Sequence, residues 1–254
     1  MQNFWLIVTH YLKRNFLDKM SYLQLILPLG FIFLNGIISD EIIVDGYNIV
    51  MTMMSPLFMI SFQFFACTIV TDWLFRDFEG PVHWRLWAAP LDQRVFFGAI
   101  LLASWLTTFI QGLLIIVITT FFNANLGNLG VTLLVLFIIS IMSQVIGLLI
   151  FYFAKSYKGA STFMYVFGFS MMLTGNALFP IDDLPQFILN IFRYSPLNLG
   201  VNAIMGSGPL SESMSHLGLV GDFGSVASNV GILVAMTAVL SVLSIIFGKR
   251  REKI

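Results

Sequence analysis

An all-α polytopic membrane protein with six transmembrane helices is the fold class the sequence predicts, on three observations. The chain is 58% hydrophobic and only 10% charged over its 254 residues, with a mean hydropathy of +0.89. Uncharged apolar runs of about 18 residues or more recur along it, close to the roughly 20 residues a helix needs to cross the hydrocarbon layer. The charges gather in the gaps between those runs, and twelve of the thirteen Lys and Arg residues fall on one side of the resulting topology. Such an asymmetry orients a membrane protein with its basic side toward the cytoplasm. The whole chain, 1–254, reads as a single transmembrane domain with both termini cytoplasmic.

The opening segment, 1–20, carries Trp5, Val8, Leu12 and Phe16 at helical spacing, with His10, Lys13, Arg14 and Asp18 on the other side. That pattern suits an interfacial helix lying in the membrane plane; the alternative is a basic lead-in without a membrane face. It is not a cleavable signal peptide, because Lys13, Arg14, Asp18 and Lys19 interrupt the region that would have to be apolar. The expected spans are 22–38, 49–70, 96–122, 129–153, 161–179 and 225–247. Asp40, Glu41 and Asp45 make an acidic turn between the first two. An uncharged Asn/Gly turn joins the third to the fourth, and Lys155 and Lys158 mark the turn before the fifth.

The connection between the second and third spans, 72–94, holds seven charges: Asp72, Arg76, Asp77, Glu79, Arg85, Asp92 and Arg94. Each central charge left in hydrocarbon costs about 2.5–3.5 kcal/mol, so this stretch must lie in water or against protein. Trp73, Phe75, Phe78, Trp84 and Trp87 run through it, more large aromatics than a solvated loop uses. It reads as a short amphipathic helix or helix pair at the membrane surface with one face offered to a partner. A belt of aromatics at headgroup depth is the other explanation for the rings.

The connection after the fifth span is too apolar for an ordinary external loop. From Pro180 to Met205 it alternates prolines with apolar residues. Phe187, Ile188, Ile191 and Phe192 fall at helical spacing after an expected N-cap at Asp182 or Asp183. Pieces of roughly 10–14 residues are too short to cross. An external re-entrant helical hairpin over 180–205 is expected, and a surface helix is the alternative.

No Asp, Glu, Lys, Arg or His falls inside the six expected spans, which argues against an ion-coupled carrier or channel. The polar groups there are amides and hydroxyls. Gln63, Gln111, Gln144 and Asn176 are candidates for lining a pathway, or they hydrogen-bond between helices. An intramembrane enzyme is disfavoured as well, since His10, His83 and His216 all lie outside the spans. No metal site and no catalytic residue is predicted. The single Cys67 lies in an apolar run and can form no intrachain disulfide. A net charge of zero leaves no reason to expect a nucleic-acid partner.

Two motifs give the chain a family resemblance. Phe78-Glu79-Gly80 follows the second span, with Ala89-Pro90-Leu91 downstream. After the fifth span come Pro180, Leu184-Pro185, Phe187-Ile188 and Pro196-Leu197. In this order, with six spans, an interfacial N-terminal helix and a basic tail, the chain resembles the membrane subunit of ABC-2 type exporters. It departs from the family pattern at Pro81, where a Thr or Ser often follows the Gly, and at Met205, near a position often held by Arg. The resemblance implies a permease that moves an apolar or amphipathic substrate (a drug, peptide or lipid-like molecule) out across the cell membrane.

It implies two permease copies, identical or different, beside two ABC ATPase subunits that carry the ATP and magnesium. This chain would bind no cofactor, since it contains no G-x-x-x-x-G-K-[ST] phosphate loop. Segment 72–94 would be a cytoplasmic coupling helix docked into the ATPase. Arg76, Glu79, Trp84, Arg85 and Trp87 would make the contacts, and Lys155 and Lys158 a second, smaller one. Pro180, Leu184, Pro185, Phe187 and Pro196 would shape an external gate. Two neighbouring readings are a non-transporting immunity or sensing subunit and an exporter of a polysaccharide precursor, the latter drawing on Trp105 and Gln111 as pathway groups.

Overall fold

Side-chain caps set where several of the helices begin. Asn48 accepts from the Met51 amide at 2.9 Å and Asn128 from the Gly130 amide at 2.9 Å. Ser195 accepts from the Asn198 amide at 3.2 Å, with Pro196 in the first turn. Each cap satisfies a backbone N–H that the first turn leaves without an intrahelical partner. The computed structural model describes residues 2–39, 43–44, 46–78, 80, 93–175, 185–208 and 224–251. In chain order the helices are α1 (Gln2–Leu17), α2 (Lys19–Ile38), α3 (Ile49–Phe65), α4 (Cys67–Phe78) and α5 (Gln93–Phe121). There follow α6 (Leu129–Phe153), α7 (Tyr157–Leu173), α8 (Gln186–Arg193), α9 (Pro196–Gly206) and α10 (Val226–Arg251). A two-stranded antiparallel hairpin, β1 (Ile43–Val44) and β2 (Tyr47–Asn48), fills the turn between α2 and α3.

The chain is therefore an all-α membrane protein. Among the described residues four helical stretches are long and apolar enough to cross a bilayer: Ile49–Phe78, Val95–Phe121, Leu129–Phe153 and Val226–Gly248. The apolar part of α2, Gln24–Ile38, is shorter, and α7 has 17 residues. The first of the four, α3 with α4, forms the centre: its most apolar window is 78% buried, against 17% for that of α10. Around it, α6 packs on α4 and α10, α1 lies along α5, and α9 is wedged among α3, α6 and α10.

Hydrogen bonds and packing contacts gather the connections at the two ends of this bundle. At one end, Arg76 of α4 meets Asp18 before α2, and the Gly248 backbone of α10 lies against the Tyr152 ring of α6. At the other, the Asn48 amide bonds the Asn123 carbonyl at 3.1 Å and the Asn128 amide bonds the Ser207 hydroxyl at 2.9 Å.

Three features differ from the reading of the sequence. The buried face of α1 is Val8, Tyr11 and Asn15, while Trp5 is 58% exposed. The helix is rotated from the purely apolar face because its polar groups bond to α4. The helix of the second span does not stop near residue 70. Interrupted only at Ala66, it continues to Phe78, so Asp72, Arg76 and Asp77 sit on its last turns rather than in a separate surface helix. No Pro or Gly lies between Cys67 and Phe78, and the Asp72–Arg76 pair at i,i+4 favours helix. Gly80 marks the end, for a Cβ there would overlap the carbonyl oxygen of Arg76. Finally, the N-cap of α8 is Pro185 and not Asp182 or Asp183; those two aspartates lie outside the described residues.

Candidate functional site

The last turns of α4 carry the densest arrangement of charge among the described residues. Asp77 is only 7% exposed, in a bundle where burying a carboxylate without partners would cost several kcal/mol. Two side chains of α1 compensate. The Tyr11 hydroxyl donates to Asp77 Oδ2, and Arg14 Nη1 donates to Oδ1 at 2.9 Å and to Oδ2 at 3.0 Å. The Tyr11 ring is held by Trp73, 5.1 Å between centroids, and Phe96, 6.1 Å, and the Arg14 guanidinium lies 5.6 Å from its centre. Burial, and then the charge of the adjacent Asp77, push the Tyr11 phenol far above its ordinary range. It stays a neutral hydrogen-bond donor.

Directly before Asp77 on α4, Arg76 joins two carboxylates. Its Nε lies 2.8 Å from Asp72 Oδ2 and its Nη2 3.4 Å from Asp18 Oδ2. The Tyr157 hydroxyl at the start of α7 lies close enough to the Asp72 carboxylate to interact with it, and Phe75 rests against the Phe151 and Tyr157 rings. Three elements are thus tied to one helix end: α1, the junction into α2, and the turn from α6 into α7. The arrangement has no nucleophile paired with a base. Among the described residues no three His, Cys, Asp or Glu side chains cluster as metal ligands would. What it can do is mechanical, because a displacement of α4 carries α1 and the start of α7 with it.

The sequence-predicted residues distribute as follows. Arg76 lies in this network, with 43% of its side chain exposed. Lys155 and Lys158 are exposed on the α6–α7 turn at the same end. Glu79, Trp84, Arg85 and Trp87 lie outside the described residues, as do Pro180, Leu184 and Asn176. Of the external group, Pro185 and Phe187 are exposed at the start of α8, whereas Pro196 is buried at the start of α9. α8 buries none of its residues, while α9 buries nearly all of its own.

The three candidate glutamines are buried between helices. Gln63 Nε2 donates to the Thr108 carbonyl at 2.9 Å, and Gln144 accepts from the Ser104 hydroxyl at 2.5 Å and reaches Thr108 Oγ1 at 3.3 Å. Gln111, a turn along α5, donates to the Gln24 and Leu25 carbonyls of α2 at 3.0 and 3.2 Å. Gln63 and Gln144 thus meet around one threonine, and Gln111 clasps a different helix. Sequence reasoning missed Tyr11 and Asp77 as partners and set Arg14 and Asp18 on the solvent side of α1. The available signal was a tyrosine and an arginine one turn apart on a segment otherwise suited to lying in lipid.

Residues 37–246 match the family described as ABC-2 family transporter protein. The match takes in α3 through most of α10 and leaves α1 outside. Among curated proteins, none matches the chain. With well over half of its length matched, and with helices built to cross a bilayer, the chain is a membrane-embedded member of the ABC-2 transporter family.

Proposed function

We propose that this protein is the permease subunit of an ABC exporter, moving an apolar or amphipathic molecule outward on energy from a separate ATPase. Two copies of that ATPase, holding ATP and magnesium, would serve two permease chains. In this reading α2, α3 with α4, α5, α6, α7 and α10 are six crossings of the cell membrane. The short helices α2 and α7 cross by packing against the longer ones, and both termini are cytoplasmic. The coupling segment begins where α4 ends, and α8 with α9 forms the external gate.

One observation carries the proposal. The central helix of the bundle runs without a break from Cys67 into the last residues before segment 79–94, and its end is tied to α1 and α7 by Asp77, Arg76 and Asp72. A push on that segment, as an ATPase closes on nucleotide, would reach the membrane interior through a rigid helix. Charges exposed at such an interface set register and partner choice.

The test is charge reversal at Glu79 and Arg85 together in the co-expressed complex. The expected result is loss of ATPase co-purification and of permease-stimulated hydrolysis, with the permease still folded. Unchanged binding and hydrolysis would sink the docking assignment.

A further inference from the structure

A groove runs down the bundle between α7 and α10, with α6 as its floor and Pro196 of α9 closing one end. It encloses about 680 Å³, the size of a pocket for a drug-sized molecule. It exists because α7 leans on α3 and α4 while α10 packs on α6 and α9. Met142, Met171 and Met236 line it together with Phe163, Phe167 and Leu240, and among the described residues Lys155 is its only charged one. Methionines suit a flexible, unbranched apolar guest, since they adapt to its shape. From Gly159 to Met171 along α7 the groove is about 18 Å long at 1.5 Å per residue. That is close to half of a roughly 30 Å hydrocarbon core, or one leaflet.

Its charged end has a definite sign. Lys155 and Lys158 are exposed there and form no ion pair among the described residues. The last turns of α10 come to the same end, where the Gly248 backbone lies against Tyr152 and Phe247 against Phe153. The helix then continues through Lys249, Arg250 and Arg251. An apolar trough one leaflet deep with cations only at its mouth complements one kind of molecule.

We infer that this groove binds an anionic phospholipid, with an acyl chain along Met142, Phe163 and Met171 and the phosphate at Lys155. That the lipid comes from the cytoplasmic leaflet rests on the orientation proposed above. The binding itself does not, and it is measured below in detergent without an ATPase.

The purified full chain is mixed with phosphatidylglycerol or phosphatidylcholine of identical acyl chains, and retained lipid is counted by native mass spectrometry. One phosphatidylglycerol per chain should be retained at roughly fivefold lower concentration than phosphatidylcholine, the preference one well-placed cation confers. Lys155→Glu should abolish that preference. Lys13→Glu, which removes an exposed cation of α1, should leave it intact. Leu149 of α6 also lines the groove, and Leu149→Trp, which fills it, should lower retention of both lipids. Equal retention of the two lipids by the unaltered chain would overturn the inference. So would a preference that survives Lys155→Glu, or one that Lys13→Glu abolishes equally. Retention of neither lipid, as when a second copy of the chain covers the groove, would overturn it too. Failure of export with lipid binding intact would instead count against the proposed function.

Discussion

Replacing Arg14 by Ala should destabilise the bundle far more than an ordinary change on a surface helix would. The Asp77 side chain is 10% exposed and that of Arg14 24%, so most of this pair is withdrawn from water. Removing one partner of a fully buried pair costs about 3–5 kcal/mol. Here the Tyr11 hydroxyl still serves the carboxylate and a quarter of Arg14 is already solvated, which brings the expected loss to about 2–3 kcal/mol. Asp77→Asn keeps the shape and an acceptor for Tyr11 but drops the charge, and should cost about 1–2 kcal/mol. In the double variant no stranded charge remains, so the combined loss should fall short of the sum by about 1–2 kcal/mol. Equilibrium unfolding of the purified chain, with SDS titrated against a mild detergent and Trp fluorescence recorded, measures all three. Trp73 beside Tyr11 contributes a part of the signal local to the site, as one of the five tryptophans. A loss below about 0.5 kcal/mol for Arg14→Ala, within the range of a surface change, would refute the reasoning, and so would strict additivity.

Two further outcomes can be measured in the same assay. The Tyr11 phenol keeps its proton in the folded protein above the pH, about 10, at which an unfolded tyrosine releases it. Stability from this group is therefore complete below about pH 10 and falls as pH rises beyond it. Tyr11→Phe should flatten that part of the curve, and an unchanged alkaline slope would disprove it. At the crossing of α4 and α6, a Cβ on Gly147 would stand 2.5 Å from Val70 Cγ1 and 2.7 Å from the Cys67 carbonyl. Gly147→Ala should cost about 1–3 kcal/mol. Gly231→Ala, where nothing lies within 4 Å, should cost nothing or stabilise slightly. Equal effects at the two glycines would show that the α4–α6 approach is not tight.

Much of the helix layout could be read directly from the chain. The run over 129–153 is bounded by Asn128 and by Lys155, and the helix has those limits because capping and charge act within a turn of the end. α4 was harder to place, since charge density alone put Asp72, Arg76 and Asp77 in a surface segment. Helix continuation, however, depends on the absence of a breaker before Gly80 and on partners for the charges, and one of those partners lies 63 residues away. The glutamines show the same limit. Gln63 and Gln144 look alike as isolated polar residues in apolar runs, yet they meet at Thr108, while Gln111 turns to α2.

What the linear order of residues determined was class: an all-helical membrane protein. That follows from the transfer energies of single residues and from periodicity within one helix. Which face of α1 is buried, and that Tyr11 and Arg14 neutralise Asp77, was decided by tertiary structure. So was the opening between α7 and α10. The rotation and lean of a helix are set by the neighbours it packs against, and no local pattern records who those neighbours are.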